Sequence, residues 1–189
     1  MKNLLHIILS VSAIITLHMA CEKIPDRPEN PDNPLDPNNP KSGSAFILSP
    51  TKLTIEASEQ FQLELWVSNV DPIAGISSKI YFNNVSFNVD SIDFLMVNSE
   101  SFLLQNGGEL LTFSQVNYDS GFISLDCAVV EGSPRDVAGT GKVVRIIFTH
   151  KSGSPIKLEI SQEGTILRNS RNEAVYIDNF IGSEVTIKY

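Results

Sequence analysis

The chain has 189 residues, of which 42% are hydrophobic and 19% charged, a balance that suits one folded domain with accessory segments and excludes a wholly disordered chain. Its formal net charge of −8 repels phosphate backbones and anionic headgroups, which argues against nucleic acid as a partner and against adhesion to lipid by charge alone.

The first three residues, Met1-Lys2-Asn3, are a short positive start, and residues 4–17 form an apolar run of signal-peptide length. The run ends in Leu17-His18-Met19-Ala20-Cys21. A small residue before a cysteine resembles the lipobox cut by lipoprotein signal peptidase, although His18 stands where an aliphatic residue is usual. Residues 1–20 are therefore expected to be a lipoprotein signal peptide and Cys21 the lipidated residue. This places the rest of the chain outside the cytoplasm, in the cell envelope, anchored to a membrane through Cys21. An acyl anchor gains about 0.8 kcal/mol per buried methylene, so more than one chain is needed for stable attachment.

Residues 21–44 read as a stalk. Pro25, Pro28, Pro31, Pro34, Pro37 and Pro40 recur every third residue, the period of a polyproline II helix, with Asp, Asn and Glu between them to keep it solvated. At about 3.1 Å per residue such a run reaches on the order of 50 Å, and a spacer is favoured over a PxxP recognition ligand. Lys41-Ser42-Gly43-Ser44 is a short hinge.

From residue 45 to 189 the pattern is that of strands. Phe46-Ile47-Leu48 stops at Ser49-Pro50, and Leu53 and Ile55 alternate with polar neighbours. Phe61, Leu63, Leu65 and Val67 form one face of a strand, with Gln62, Glu64, Trp66 and Ser68 on the other. Ile76, Ser78, Ile80 and Phe82 point one way, and Ser77, Lys79 and Tyr81 the other. Residues 85–96 form an irregular strand, and only residues 101–105 suit a helical turn. Residues 110–116 and 121–130 flank an Asn117-Tyr118-Asp119-Ser120 turn and predict a hairpin. Further strands are expected through Val144, Ile146 and Phe148, then at 156–160, 166–167, 175–177 and 185–187. The fold class that follows is all-β, a two-sheet antiparallel sandwich of the jelly-roll type with about nine strands.

Catalytic chemistry is sparse. Beyond the signal segment the only histidine is His150, at a strand end without a nucleophile motif, and it is expected to be an exposed turn residue. Too few His and Cys residues exist for a zinc site, and the glycine pairs lack a phosphate-loop context. The Asn-rich turn from Asn169 to Asn172 offers calcium-ligand types and leaves calcium open, but it lacks EF-hand spacing and no cofactor is expected. With Cys21 lipidated, Cys127 has no disulfide partner, and the period-two set Ile123, Leu125, Cys127 and Val129 makes it a small core residue. A non-enzyme is expected. Trp66, the single tryptophan, sits on the polar side of its strand, where an aromatic face suits a sugar ring or local packing.

The order of elements after residue 45 resembles a cohesin domain, the module that captures dockerin. Three stretches carry the resemblance: Glu59-Gln60-Phe61-Gln62-Leu63-Glu64-Leu65-Trp66-Val67-Ser68-Asn69-Val70, Ile73-Ala74-Gly75-Ile76-Ser77-Ser78-Lys79-Ile80-Tyr81-Phe82-Asn83, and Gly139-Thr140-Gly141-Lys142-Val143-Val144-Arg145-Ile146-Ile147-Phe148. The resemblance implies a nine-stranded jelly roll without catalysis. It also implies a docking face on which Gly75, Ser77, Lys79 and Tyr81 stand beside Phe122, Ser124 and Asp126. Gly75 and Ser77 occupy positions where many cohesins carry Asn and Asp, which departs from the standard recognition surface. Trp66 would lie on the opposite sheet. The partner expected is a dockerin-like protein, in a setting of polysaccharide degradation, and the chain itself is expected to be a monomer. Related carbohydrate-binding sandwiches share the layout, so polysaccharide held by Trp66 is the alternative, and a structural envelope lipoprotein without a soluble ligand is a third.

Overall fold

The computed structural model describes residues 43–96, 100–131 and 136–189. The expected signal peptide, Cys21 and the expected proline-rich stalk up to residue 42 lie outside the described residues. Among the described residues thirteen strands follow one another: β1 (Ala45–Ser49), β2 (Lys52–Glu56), β3 (Gln60–Ile73), β4 (Gly75–Tyr81), β5 (Phe87–Asp93), β6 (Glu109–Asn117), β7 (Phe122–Glu131), β8 (Val137–His150), β9 (Ile156–Ile160), β10 (Ile166–Arg168), β11 (Ala174–Val175), β12 (Asn179–Ile181) and β13 (Ser183–Lys188). Each stretch read as a strand recurs and β12 is added; the number exceeds the nine of a simple jelly roll because β10, β11 and β12 are separate pieces of two or three residues. A 3-10 turn at Phe102–Leu104 falls within the stretch that suited a helical turn.

Two sheets face each other. The first runs β12-β1-β3-β8-β5. In the second, β4 pairs with β7 on one edge, and β6 lies outside β7. The other edge of β4 is shared: β10 pairs with its start and β9 with its end, and β13 and β2 continue beyond β9. Nearly all pairings are antiparallel; β1 with β12 and β2 with β13 run parallel, where the start and end of the domain meet at the sheet edges.

Strict alternation positions the core. Phe61, Leu63, Leu65 and Val67 of β3, Ile76 and Ile80 of β4, Ile123 and Leu125 of β7, and Ile146 and Phe148 of β8 are all buried. Phe61, Phe87 and Phe148 form an aromatic cluster with centroids 5.2 to 5.9 Å apart, joining strands of the first sheet over the interior. Tyr118, in the β6–β7 turn, bonds through its hydroxyl to the backbone N–H of Val89 at 3.1 Å and so ties the hairpin to β5 of the opposite sheet. Two glycines in β8 are required by their surroundings. Gly139 adopts φ +108°, and a Cβ on Gly141 would come within 2.8 Å of the Phe102 ring.

His150 corrects the sequence expectation, because it is 3% exposed rather than a surface turn residue. Its Nδ1 accepts the backbone N–H of Ser58 at 3.1 Å, its Nε2 bonds the Gly153 carbonyl at 3.1 Å, and its ring meets Phe87 edge-on. Both ring nitrogens are satisfied, so burial carries no unmet polar group. It continues the inward set of Val144, Ile146 and Phe148.

Candidate protein-docking face

The outer surface of the second sheet gathers all seven residues expected at a docking face. The antiparallel register of β4 with β7 sets Gly75 opposite Ala128, Ser77 opposite Asp126, Lys79 opposite Ser124 and Tyr81 opposite Phe122. Their neighbours in sequence, Ile76, Ser78, Ile80, Ile123, Leu125 and Cys127, turn inward, so period two alone drives this set outward. One end of the face is aromatic and cationic. The Lys79 ammonium stands 4.5 Å from the centroid of Phe122, and Tyr81 meets the same ring edge-on at 6.3 Å. Ser78, buried beneath, shares a hydrogen bond of 3.1 Å with Thr165, and Ser161 donates its N–H to the Lys79 carbonyl at 2.8 Å, which bridges the break between β9 and β10.

The other end is a groove of about 470 Å³. Its floor is Gly75, Ser77 and Ala128, all small. One rim is Leu111 and Phe113 on β6, the other Ile166 and Arg168 on β10. Leu111 is 66% exposed, Phe113 59% and Ile166 45%, a concentration of apolar surface that a lone strand in water does not favour. Asp126 lies in the same groove, opposite Phe113, and makes no hydrogen bond or ion pair with any described residue. Below it, burial and the Asp126 carboxylate push the Cys127 thiol up from 9.0 to about 12, so this cysteine is a core residue without thiolate chemistry.

Leu111, Phe113, Ile166 and Arg168 were missed at the sequence level. The β6 rim had a signal: Leu110, Leu111 and Phe113 put apolar side chains on both faces of one strand, which a strand with one solvated face does not do. The β10 rim had none, because the pairing that sets Ile166 against Ser77 and Arg168 against Gly75 spans some 90 residues of chain.

Trp66 lies on the outer side of the first sheet. It is half-buried, its indole N–H donates to Glu64 at 3.1 Å, and the Lys142 ammonium stands 5.5 Å from its ring centroid. Glu64 also pairs with Lys142 at 3.1 Å and Arg145 at 3.9 Å, and Arg145 reaches Asp93 and Glu100. Gln60 and Thr149 both donate to Asp90. In the turn after β10, the Asn169 side-chain oxygen accepts the N–H groups of Arg171 and Glu173. Among the described residues no three His, Cys, Asp or Glu side chains gather as a metal site, and no helix is long and apolar enough to cross a membrane.

No protein-family model matches the chain, and no curated protein matches it. Solved structures do. The chain is similar to the third cohesin of ScaC from Acetivibrio cellulolyticus, solved in complex with the ScaB dockerin, with TM-score 0.61 and 17% identity over 78% of this chain and 100% of that one. It is similar to the OlpA cohesin of Clostridium thermocellum, solved with a dockerin, with TM-score 0.61 and 10% identity over 78% and 100%. A non-cellulosomal cohesin from the archaeon Archaeoglobus fulgidus gives TM-score 0.59 and 17% identity over 78% and 93%. The domain from residue 45 onward thus has the cohesin fold, a two-sheet jelly-roll sandwich.

Proposed function

We propose that this chain is a cell-envelope lipoprotein whose cohesin-like domain captures a helical, dockerin-like protein on the outer face of β4 and β7. The observation that carries the reading is the small-floored apolar groove at Gly75, Ser77 and Ala128, which lies beside the polar end formed by Lys79, Tyr81 and Phe122. Exposed leucine, isoleucine and phenylalanine around a shallow floor suit the apolar side of a helix. The uncommitted Asp126 suits a cation on the same helix. In the similar solved complexes the partner is a dockerin, which supports the same class of partner here. With Gly75 and Ser77 at the floor, recognition rests on apolar packing more than on a ladder of side-chain hydrogen bonds. The motif at Ala20-Cys21 and the proline stalk support membrane anchoring, with the domain held out to meet soluble partners and with polysaccharide degradation as the setting.

Calorimetry with dockerin modules encoded in the same genome tests the reading. Binding to at least one module is expected, weakened about thirtyfold in Gly75→Leu and lost in the double variant Lys79→Glu, Tyr81→Ala. Absence of binding to every module, or affinity unchanged in both variants, overturns it.

A further inference from the structure

We propose that β6 is a self-association edge, along which two copies of this chain pair antiparallel about a two-fold axis at Phe113. β6 is nine residues long and pairs only with β7; among the described residues nothing bonds its other edge. The direction of its backbone groups follows from the neighbouring ladder. Val129 donates its N–H to the Ala74 carbonyl and Phe82 donates to Gly121, so the odd-numbered residues of β7 bond toward β4 and the even-numbered ones toward β6. The even residues face Leu111, Phe113, Gln115 and Asn117. Leu110, Thr112, Ser114 and Val116 therefore point their N–H and C=O groups out of the sheet, a row of open donors and acceptors.

Sheet edges of this length usually carry a lysine, a proline or a bulge to discourage pairing. The sequence Glu109-Leu110-Leu111-Thr112-Phe113-Ser114-Gln115-Val116-Asn117 carries no proline and a single charge, in a chain of net charge −8. Its one register shift lies at the end, between Glu109 and Leu110. The strand is also complementary to itself. With Phe113 on the axis, Thr112 meets Ser114, Leu111 meets Gln115, Leu110 meets Val116 and Glu109 meets Asn117, so no like charges face each other. Phe113 then falls in a non-hydrogen-bonded pair, the position at which opposed side chains approach most closely, and its exposed ring packs on its own copy. The contact is isologous and closes after two copies. It leaves Gly75, Ser77 and Ala128 uncovered, so two grooves would share one continuous sheet, and it does not depend on the docking reading.

Analytical ultracentrifugation of the chain from residue 21 with Cys21→Ser tests the pairing. A reversible dimer is expected, weak because the contact is narrow, with Kd on the order of 10 μM. Phe113→Lys sets two cations against each other, and Ser114→Pro removes an outward N–H without touching the β7 ladder. Each should weaken the dimer at least tenfold, with circular dichroism confirming that the fold persists. In the same background Phe113→Cys should oxidise to a cross-linked dimer and Gln115→Cys should not. A chain that stays monomeric throughout overturns the proposal and leaves the edge open to an extended segment of another protein. A dimer unaffected by both variants, or equal cross-linking at 113 and 115, overturns it as well.

Discussion

The two outer faces of the sandwich use their polar groups in opposite ways. On the first sheet, Glu64, Lys142, Arg145, Asp93 and Glu100 form a connected set of ion pairs, and the only tryptophan is held between two of its members. On the second, Leu111, Phe113 and Ile166 stand in solvent around a floor without bulk, and Asp126 has no described partner. Both faces are built on the same alternation, so the difference is one of outward residue choice. A face whose charges already satisfy one another has little to gain from a second molecule, whereas an open apolar groove gains by being covered.

The comparison breaks most severely if the shared support is removed. Phe148→Ala is expected to cost about 3–5 kcal/mol in denaturant unfolding and to disable both faces together, because its ring stacks at the centre of the core. A chemical version of the same test uses alkali. The folded Cys127 thiol keeps its proton to about 12 whereas the unfolded one ionises near 9.0, so stability should be unaffected below pH 9 and fall between pH 9 and 12. Three units correspond to about 4 kcal/mol, and Cys127→Val should flatten that limb in denaturant titrations at each pH. The faces separate under milder changes. Gly75→Leu should weaken partner binding by about 2 kcal/mol, measured by calorimetry, while the thermal midpoint stays within a few degrees, since the site is a surface strand position with a Cβ contact no closer than 3.4 Å. Glu64→Gln should do the reverse on a smaller scale, costing about 1 kcal/mol of stability while leaving binding unchanged. If Glu64→Gln or Trp66→Ala abolishes capture of the partner, the assignment of roles to the two faces is inverted.

Much of this division could be read before any coordinates. The inward sets of β3, β4 and β7 follow from period two, and the same period sends Gly75, Ser77, Lys79, Tyr81, Phe122, Ser124 and Asp126 outward together. The groove was not legible as a groove, because its rims belong to strands whose neighbours are set by register over long sequence separations. Trp66 looked available because its strand face is polar; the Lys142 and Glu64 that occupy it come from cross-strand pairing and a position two residues away. His150 looked exposed because it is polar and ends a strand. What decides its burial is that a backbone N–H from Ser58 and a carbonyl from Gly153 happen to meet its two nitrogens.

The entry point of the chain into the domain has a mechanical consequence. Ser44 donates two hydrogen bonds, from its backbone N–H and its hydroxyl, to the Asp178 carboxylate at 2.8 and 2.9 Å, and its carbonyl accepts the N–H of Asn179 at 3.0 Å. Directly after it, β1 lies between β12 and β3, in register with both. A pull along the axis of β1 must shear two ladders at once rather than peel one bond after another. The start of the domain is thereby braced on two sides against tension applied along the chain that precedes it.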